Sequence, residues 1–130
     1  VNAYDNSIAF TDHVLASAIK MMDKQDRVLP AMLFLSDHGE SLGEAGLYLH
    51  GAPNFMAPEV QTKVPFLMWL PQNFQQAMGI DAACLKDRTK QSVSQDNLFH
   101  TILGLMDIST EAYLPKLDIT SGCRTERSEA

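Results

Sequence analysis

No run of eighteen apolar residues occurs in these 130 residues; the longest, Ala31–Leu35 and Phe66–Leu70, hold five each. That is far short of the roughly 20 needed to span a bilayer as a helix. Basic residues are scarce: 10 Lys and Arg stand against 16 Asp and Glu, for a net charge of −6. They never cluster beyond a pair, which excludes a nucleic-acid binder that works by neutralising phosphates. Glycine and proline are few, 7 and 6, so the chain is not a low-complexity polymer. The apolar share of 45% excludes intrinsic disorder as its main description. A secretory leader is missing at Val1, where a helical pattern is about to begin, so the chain reads as a piece whose N-terminus lies elsewhere. The two cysteines, Cys84 and Cys123, fit either a disulfide in an oxidising compartment or two inert thiols in a reducing one.

The pattern of elements is clearer than their order in space. Residues 5–24 are expected to form a helix, with Asp5, Asn6 and Ser7 as cap side chains and Ile8, Leu15, Ala18, Ile19 and Met22 on one apolar face. Ala31–Ser36 and Val64–Leu70 are short apolar runs without polar alternation, as strands of a parallel sheet covered on both faces are. Between them, residues 37–63 carry Gly39, Gly43, Gly46, Gly51, Pro53 and Pro58. So long a segment is a candidate functional loop. Residues 71–92 read as polar and irregular. Residues 96–106 read as a second helix capped by Ser94 or Asp96, burying Leu98, Phe99, Ile102, Leu103 and Met106. The tail beyond about residue 119 reads as mobile apart from Cys123. Helix, strand, loop, strand and helix together predict an α/β layered fold, a central sheet flanked by helices. Two strands make too small an open sheet, so further strands are expected from outside the chain.

Chemistry concentrates in Ser36-Asp37-His38-Gly39-Glu40-Ser41-Leu42-Gly43-Glu44 and Tyr48-Leu49-His50-Gly51. Asp37 and His38 directly follow a buried strand, at the carboxyl end where open α/β sheets bind ligands. A carboxylate beside an imidazole offers one oxygen and one nitrogen, both acceptable to zinc at about 2.0–2.2 Å. Adjacent side chains on a strand point apart, so both reach one ion only if the chain turns, which Gly39 permits. His50 can return from the loop as a third contact to a metal or a phosphate. The plainer readings stand beside these: Asp37 as a loop cap, His38 as a hydrogen-bonded turn residue, and Glu40 and Glu44 as solvated or supporting carboxylates. His13 reads as surface and His100 as a structural histidine. No nucleophile elbow of the G-x-S-x-G kind is read, which leaves Ser36 and Ser41 poor nucleophiles. Neither a phosphate-binding G-x-x-x-x-G-K-[ST] loop nor H-E-x-x-H occurs.

The order Tyr4-Asp5-Asn6-Ser7-Ile8, Phe10-Thr11-Asp12, Ser36 to Glu44, Tyr48-Leu49-His50-Gly51, Ala57-Pro58, Val64-Pro65 and Asp96-Asn97-Leu98-Phe99-His100-Thr101 resembles the C-terminal part of the catalytic domain of bacterial phosphoethanolamine transferases. These lipid A-modifying enzymes, which include mobile colistin-resistance proteins, sit within the alkaline phosphatase/sulfatase superfamily. The resemblance covers roughly residues 2–123, with 124–130 left as a tail. It implies that Asp37 and His38 bind zinc, one ion or two, that His50 contacts a second metal or the substrate phosphate, and that Glu40 lies near the site.

The resemblance further implies a threonine nucleophile and transmembrane helices upstream of these residues, with membrane contact made there. Phosphatidylethanolamine is the implied donor and lipid A the implied acceptor, with a phospho-threonine intermediate. The implied location is the bacterial inner membrane, with the catalytic domain in the periplasm. In that compartment Cys84 and Cys123 are expected to pair, closing a loop of about forty residues. A sulfatase, a phosphoglycerol transferase and an inactive truncated piece remain alternatives, and the isolated chain is expected to be inactive.

Overall fold

The computed structural model describes residues 2–51, 53 and 55–125. Its order is α1 (Asn2–Met22), β1 (Met32–Leu35), β2 (Ser41–Leu42), β3 (Tyr48–Leu49), α2 (Glu59–Thr62), β4 (Phe66–Trp69), α3 (Gln72–Ala77), α4 (Ala82–Arg88) and α5 (Asp96–Leu105). Single 3-10 turns lie at Glu44–Gly46, Pro115–Leu117 and Ser121–Cys123. No helix among the described residues is long and apolar enough to cross a membrane. The chain divides into two compact units, Val1–Pro71 and Gln72–Ala130.

In the first unit, α1 starts earlier than its expected caps. Asp5 lies inside the first turn, and the Ser7 hydroxyl donates to the Tyr4 carbonyl at 2.6 Å. Leu15, Ala18, Ile19 and Met22 of the expected face are half-buried, whereas Ile8 is exposed. His13 is on the surface as expected. The strands appear where the apolar runs predict, but they pair antiparallel, Met32 opposite Trp69 and Leu35 opposite Phe66. The parallel expectation fails because parallel neighbours need a long crossover, usually a helix. Here the intervening segment folds instead into a small hairpin, Ser41 opposite Leu49 and Leu42 opposite Tyr48, and the one-turn helix α2.

The second unit holds the apolar core of Phe74, Ile80, Leu105, Ile119 and Cys123. Its first part is more regular than its polar composition suggests. Asp81 caps α4, its Oδ1 accepting from the Ala83 and Cys84 N–H groups at 2.8 and 3.1 Å, the usual way a short acidic side chain satisfies a helix start. α5 has the expected bounds to within a residue, but Ser94 does not cap it. The Asn97 side chain reaches back instead and accepts from the Ser94 N–H at 2.8 Å.

The buried face of α5 is the main correction. Phe99, Ile102 and Met106, expected inside, are exposed; His100, Thr101, Gly104 and Leu105 are buried. The reason is hydrogen bonding along the segment that follows. Asn97 Nδ2 donates to the Leu117 carbonyl at 2.8 Å, His100 Nδ1 accepts from the Leu114 N–H at 3.1 Å, and Thr101 Oγ1 accepts from the Ile119 N–H at 3.1 Å. These residues recur at helical spacing with Gly104, where a Cβ would collide with the Asp118 carboxylate. A buried irregular segment must have its backbone groups paired, and this polar stripe pairs them. His100 is therefore the structural histidine expected.

Asp118 is 1% exposed and fully engaged. Its Oδ1 accepts from the Thr120 N–H and hydroxyl, both at 2.7 Å, and its Oδ2 from the Tyr113 hydroxyl at 2.6 Å. Burial first, and then the Asp118 carboxylate, push the Tyr113 phenol up to about 12. The expected mobility beyond residue 119 does not hold through Thr125. Thr120 is buried, Arg124 bridges Ile80, and the Thr125 N–H donates to the Gly79 carbonyl at 2.8 Å. Residues 126–130 of the expected tail lie outside the described residues. Cys84 and Cys123 form a disulfide 39 residues apart in sequence, with Cα atoms 5.4 Å apart.

Two outcomes follow for stability. Closing a loop of this length restricts the unfolded chain by about 4 kcal/mol on the loop-entropy account; urea unfolding of Cys84→Ser is expected to show a loss of that order. The raised Tyr113 group favours the folded state below pH 10 and gives up that contribution as pH rises toward about 12. Tyr113→Phe is expected to be less stable at pH 7 by about 1–3 kcal/mol, since Asp118 loses a donor. It is also expected to lose less stability than the parent between pH 10 and 12 in parallel unfolding curves.

Candidate metal and phosphate corner

The corner is built on the end of β1. The chain leaves the strand at Leu35, and the Ser36 hydroxyl donates to the His38 carbonyl at 2.8 Å, drawing the backbone into a turn. Gly39 is needed here for close approach. Its N–H donates to the Gln61 carbonyl at 2.9 Å, and a Cβ on it would collide with the Val60 carbonyl. The conformational freedom expected of Gly39 is not what is used, because its φ is not positive. β2 and β3 then carry the chain out and back, and His50 follows β3 directly.

Three of the candidate residues converge. His38, Glu40 and His50 each offer a ligand atom within 4.8 Å of the others. The two imidazole rings face one another at 3.9 Å between centroids, tilted by 32°. His38 Nδ1 lies 2.9 Å from the Gly39 carbonyl, and His50 Nδ1 lies 3.0 Å from Glu40 Oε2. A carbonyl and a carboxylate only accept, so both Nδ1 atoms donate, and a neutral ring in this orientation presents its lone pair at Nε2. The Glu40 side chain is 23% exposed, and its Oε1 is buried without a hydrogen-bond partner. Two imidazoles grouped with a carboxylate that keeps one buried, unpartnered oxygen are a donor set that suits a borderline cation such as zinc.

Asp37 stands at the edge of this group. Its side chain is 89% exposed, and its Oδ2 lies 3.7 Å from His38 Nε2. Two ligands of one tetrahedral zinc lie about 3.4 Å apart, so the pair fits a shared ion after a small adjustment. Its Oδ1 also accepts from the His38 N–H at 3.0 Å, the loop-capping geometry, so capping and ligation are both available to it. Glu44 serves its own loop. Hydrogen bonds from its own N–H and then that of Leu42 hold its carboxyl below the usual range, and the Leu42 N–H reaches its Oε2 at 2.7 Å.

Two points in the sequence are corrected at this corner. Gly39-Glu40-Ser41-Leu42-Gly43 does carry the G-x-S-x-G spacing, but not the elbow. Ser41 is 1% exposed on a short strand, whereas an elbow presents its serine at an exposed strand-to-helix turn. The other is Gln61, which sequence reasoning passed over. It is 7% exposed and lies under both arms of the corner, and a lone Gln in a polar stretch gives no periodic or compositional signal.

The family model described as Sulfatase matches residues 1–108, and the chain belongs to that family. Phosphoethanolamine transferase EptA of Escherichia coli strain K12 is 44% identical over 126 residues, covering 95% of this chain and 23% of the relative. Phosphatidylethanolamine transferase Mcr-1 of Escherichia coli is 37% identical over 112 residues, covering 85% of this chain and 19% of the relative. The solved soluble domain of lipooligosaccharide phosphoethanolamine transferase A from Neisseria meningitidis superposes with a TM-score of 0.92 at 42% identity, covering 96% of this chain and 38% of that one. The fold is the mixed α/β fold of the alkaline phosphatase/sulfatase type. The chain spans about a fifth to a quarter of the length of these curated relatives.

Gly39→Ala tests the close approach that shapes the corner. The added methyl has only backbone to meet, and overpacking of this kind costs about 1–3 kcal/mol. Chemical denaturation is expected to show a loss in that range, and an unchanged midpoint would mean that the turn gives way freely.

Proposed function

We propose that this chain supplies the metal-binding corner of an enzyme that transfers phosphoethanolamine from phosphatidylethanolamine to a lipid A phosphate. The observation that carries the reading is the convergence of His38, Glu40 and His50, with one Glu40 oxygen buried and unpartnered, in a chain similar along nearly its whole length to named phosphoethanolamine transferases. Asp37 and His38 would hold zinc, one ion or two, and His50 with Glu40 would face the substrate phosphate or a second ion. Zinc bound there lowers the pKa of a coordinated hydroxyl and offsets charge on phosphoryl oxygens.

The chain's own residues orient the site. The Gly39 carbonyl fixes the His38 tautomer, and Glu40 fixes that of His50. The nucleophile is assigned to a threonine outside these residues, passing through a phospho-threonine intermediate. Nearby hydroxyls are poorly suited: Ser36 donates to the His38 carbonyl, Ser41 is buried, and the Thr62 hydroxyl lies 3.4 Å from the Glu59 carbonyl. The proposed location is the bacterial inner membrane, with this part on the periplasmic side and membrane contact made by a region outside it. The Cys84–Cys123 disulfide suits that oxidising compartment.

Zinc titration against a chromophoric chelator tests the metal assignment. Asp37→Ala and His38→Ala are each expected to weaken binding by more than the roughly 10–100-fold that losing a supporting residue costs. Unchanged uptake in both variants would overturn it. Incubated with fluorescent phosphatidylethanolamine and lipid A, the chain alone is expected to form no product. Transfer by the chain alone would place the nucleophile within it after all.

A further inference from the structure

We infer that Gln61 is the positioning residue of this corner: beneath the Glu40–His50 hydrogen bond, its side chain ties the Asp37–Ser41 arm to the arm bearing His50 through bonds to Ser41 and Leu49. The inference rests on the metal reading above and deepens it. Among the described residues of the first unit, Ser41 and Gln61 are the only buried ones, 1% and 7% exposed, and they bond to each other. Gln61 Nε2 donates to the Ser41 hydroxyl at 2.7 Å and to the Leu49 carbonyl at 3.1 Å. The Gln61 backbone carbonyl meanwhile accepts from the Gly39 N–H at 2.9 Å. One residue on α2 thus holds the chain immediately after His38, immediately after Glu40 and immediately before His50.

The Leu49 link matters most. Leu49 sits in the left-handed region at φ 65°, which a non-glycine residue keeps only when its surroundings hold it there. The carbonyl that Gln61 holds is the one leading into His50, so the peptide plane that aims His50 across at His38 is set from beneath. The two bonds made by Gln61 Nε2 go to Ser41 and Leu49, not to a ring or a proposed ligand atom. The amide is suited to the task because one NH2 group offers two donors to two acceptors on different strands. Isosteric Met offers none, and Glu presents a carboxylate to the same two oxygens.

Two measurements on the full chain and its Gln61→Met variant test this. The first needs no metal: the nuclear Overhauser contacts between the His38 and His50 rings, which are 3.9 Å apart. They are expected in the parent chain and expected to vanish in Gln61→Met, while contacts across the Met32–Trp69 and Phe34–Leu67 pairs persist in both. The second is zinc affinity, expected to fall by about 10–100-fold, the range for supporting residues of metal sites. Gln61→Glu is expected to behave like Gln61→Met.

Persistent ring contacts in Gln61→Met would overturn the inference, as would loss of the β1–β4 contacts together with them, which would make Gln61 a general folding residue. If the parent shows the ring contacts and Gln61→Met loses them, but no zinc binds to either, the positioning stands and the metal reading falls. If zinc binds both equally and His38→Ala abolishes binding, the metal reading stands and the positioning falls.

Discussion

The corner depends on one backbone contact. Gly39 approaches the Val60 carbonyl so closely that no side chain fits between them, and its N–H closes onto the Gln61 carbonyl. This contact joins the end of β1 to α2 across twenty residues of loop. With it in place, Asp37 stays exposed, His38 half-exposed against the His50 ring, and Glu40 largely covered. A larger residue at Gly39 would separate the two segments and release the hairpin between them. The short β2 and β3 strands contribute little of their own, since an isolated two-stranded hairpin is marginal in water.

The two units are held by different means. In the second, an apolar core, a disulfide and the strap of residues 113–125 share the load, and the strap is pinned to α5 by side chains rather than by a sheet. In the first, the buried residues among those described, Ser41 and Gln61, are polar and bonded to each other. Buried polar groups are costly unless satisfied and specific when they are. Ser41 and Gln61 therefore suit a place where direction matters more than gross stability. A greasy pair in their positions would bury as well but would leave the Leu49 carbonyl without its donor.

Much of the fold was legible in the sequence, and the reasons for the rest are physical. The unbroken apolar runs located β1 and β4, but such a run carries no information about which way its neighbour travels. α5 was located by its periodicity, yet Asn97, His100, Thr101 and Gly104 recur at the same spacing as the apolar stripe. Hydrogen-bond demand from the strap, invisible in a hydropathy pattern, decided which stripe went in. Asp81 ahead of Ala82–Arg88 is a cap signal, but the polar composition around it masks the helix that follows. At the corner, Asp37, His38 and His50 stood out because their chemistry is rare and their spacing is tight. Glu40 looked like one acid among several, because only the fold shows that one of its oxygens is buried and unpaired.

Charge explains why a cation and a phosphate belong to the same reading. Between residues 31 and 71 the chain carries a single Lys or Arg, Lys63, and its ammonium is paired with Glu59 at 2.8 Å. The same stretch carries Asp37, Glu40 and Glu44 besides Glu59, in a chain of net charge −6. A phosphate brought to the corner unaided would meet carboxylates and two imidazole edges, a field of the wrong sign over the few ångströms where binding is decided. A positive charge held by the corner itself would supply attraction at that range, and His38, Glu40 and His50 are the grouped donors that could hold it. An anion-binding role for His50 without a metal beside it would have to work against the Glu40 carboxylate bonded to its ring, so the phosphate assignment depends on the metal assignment and not the reverse.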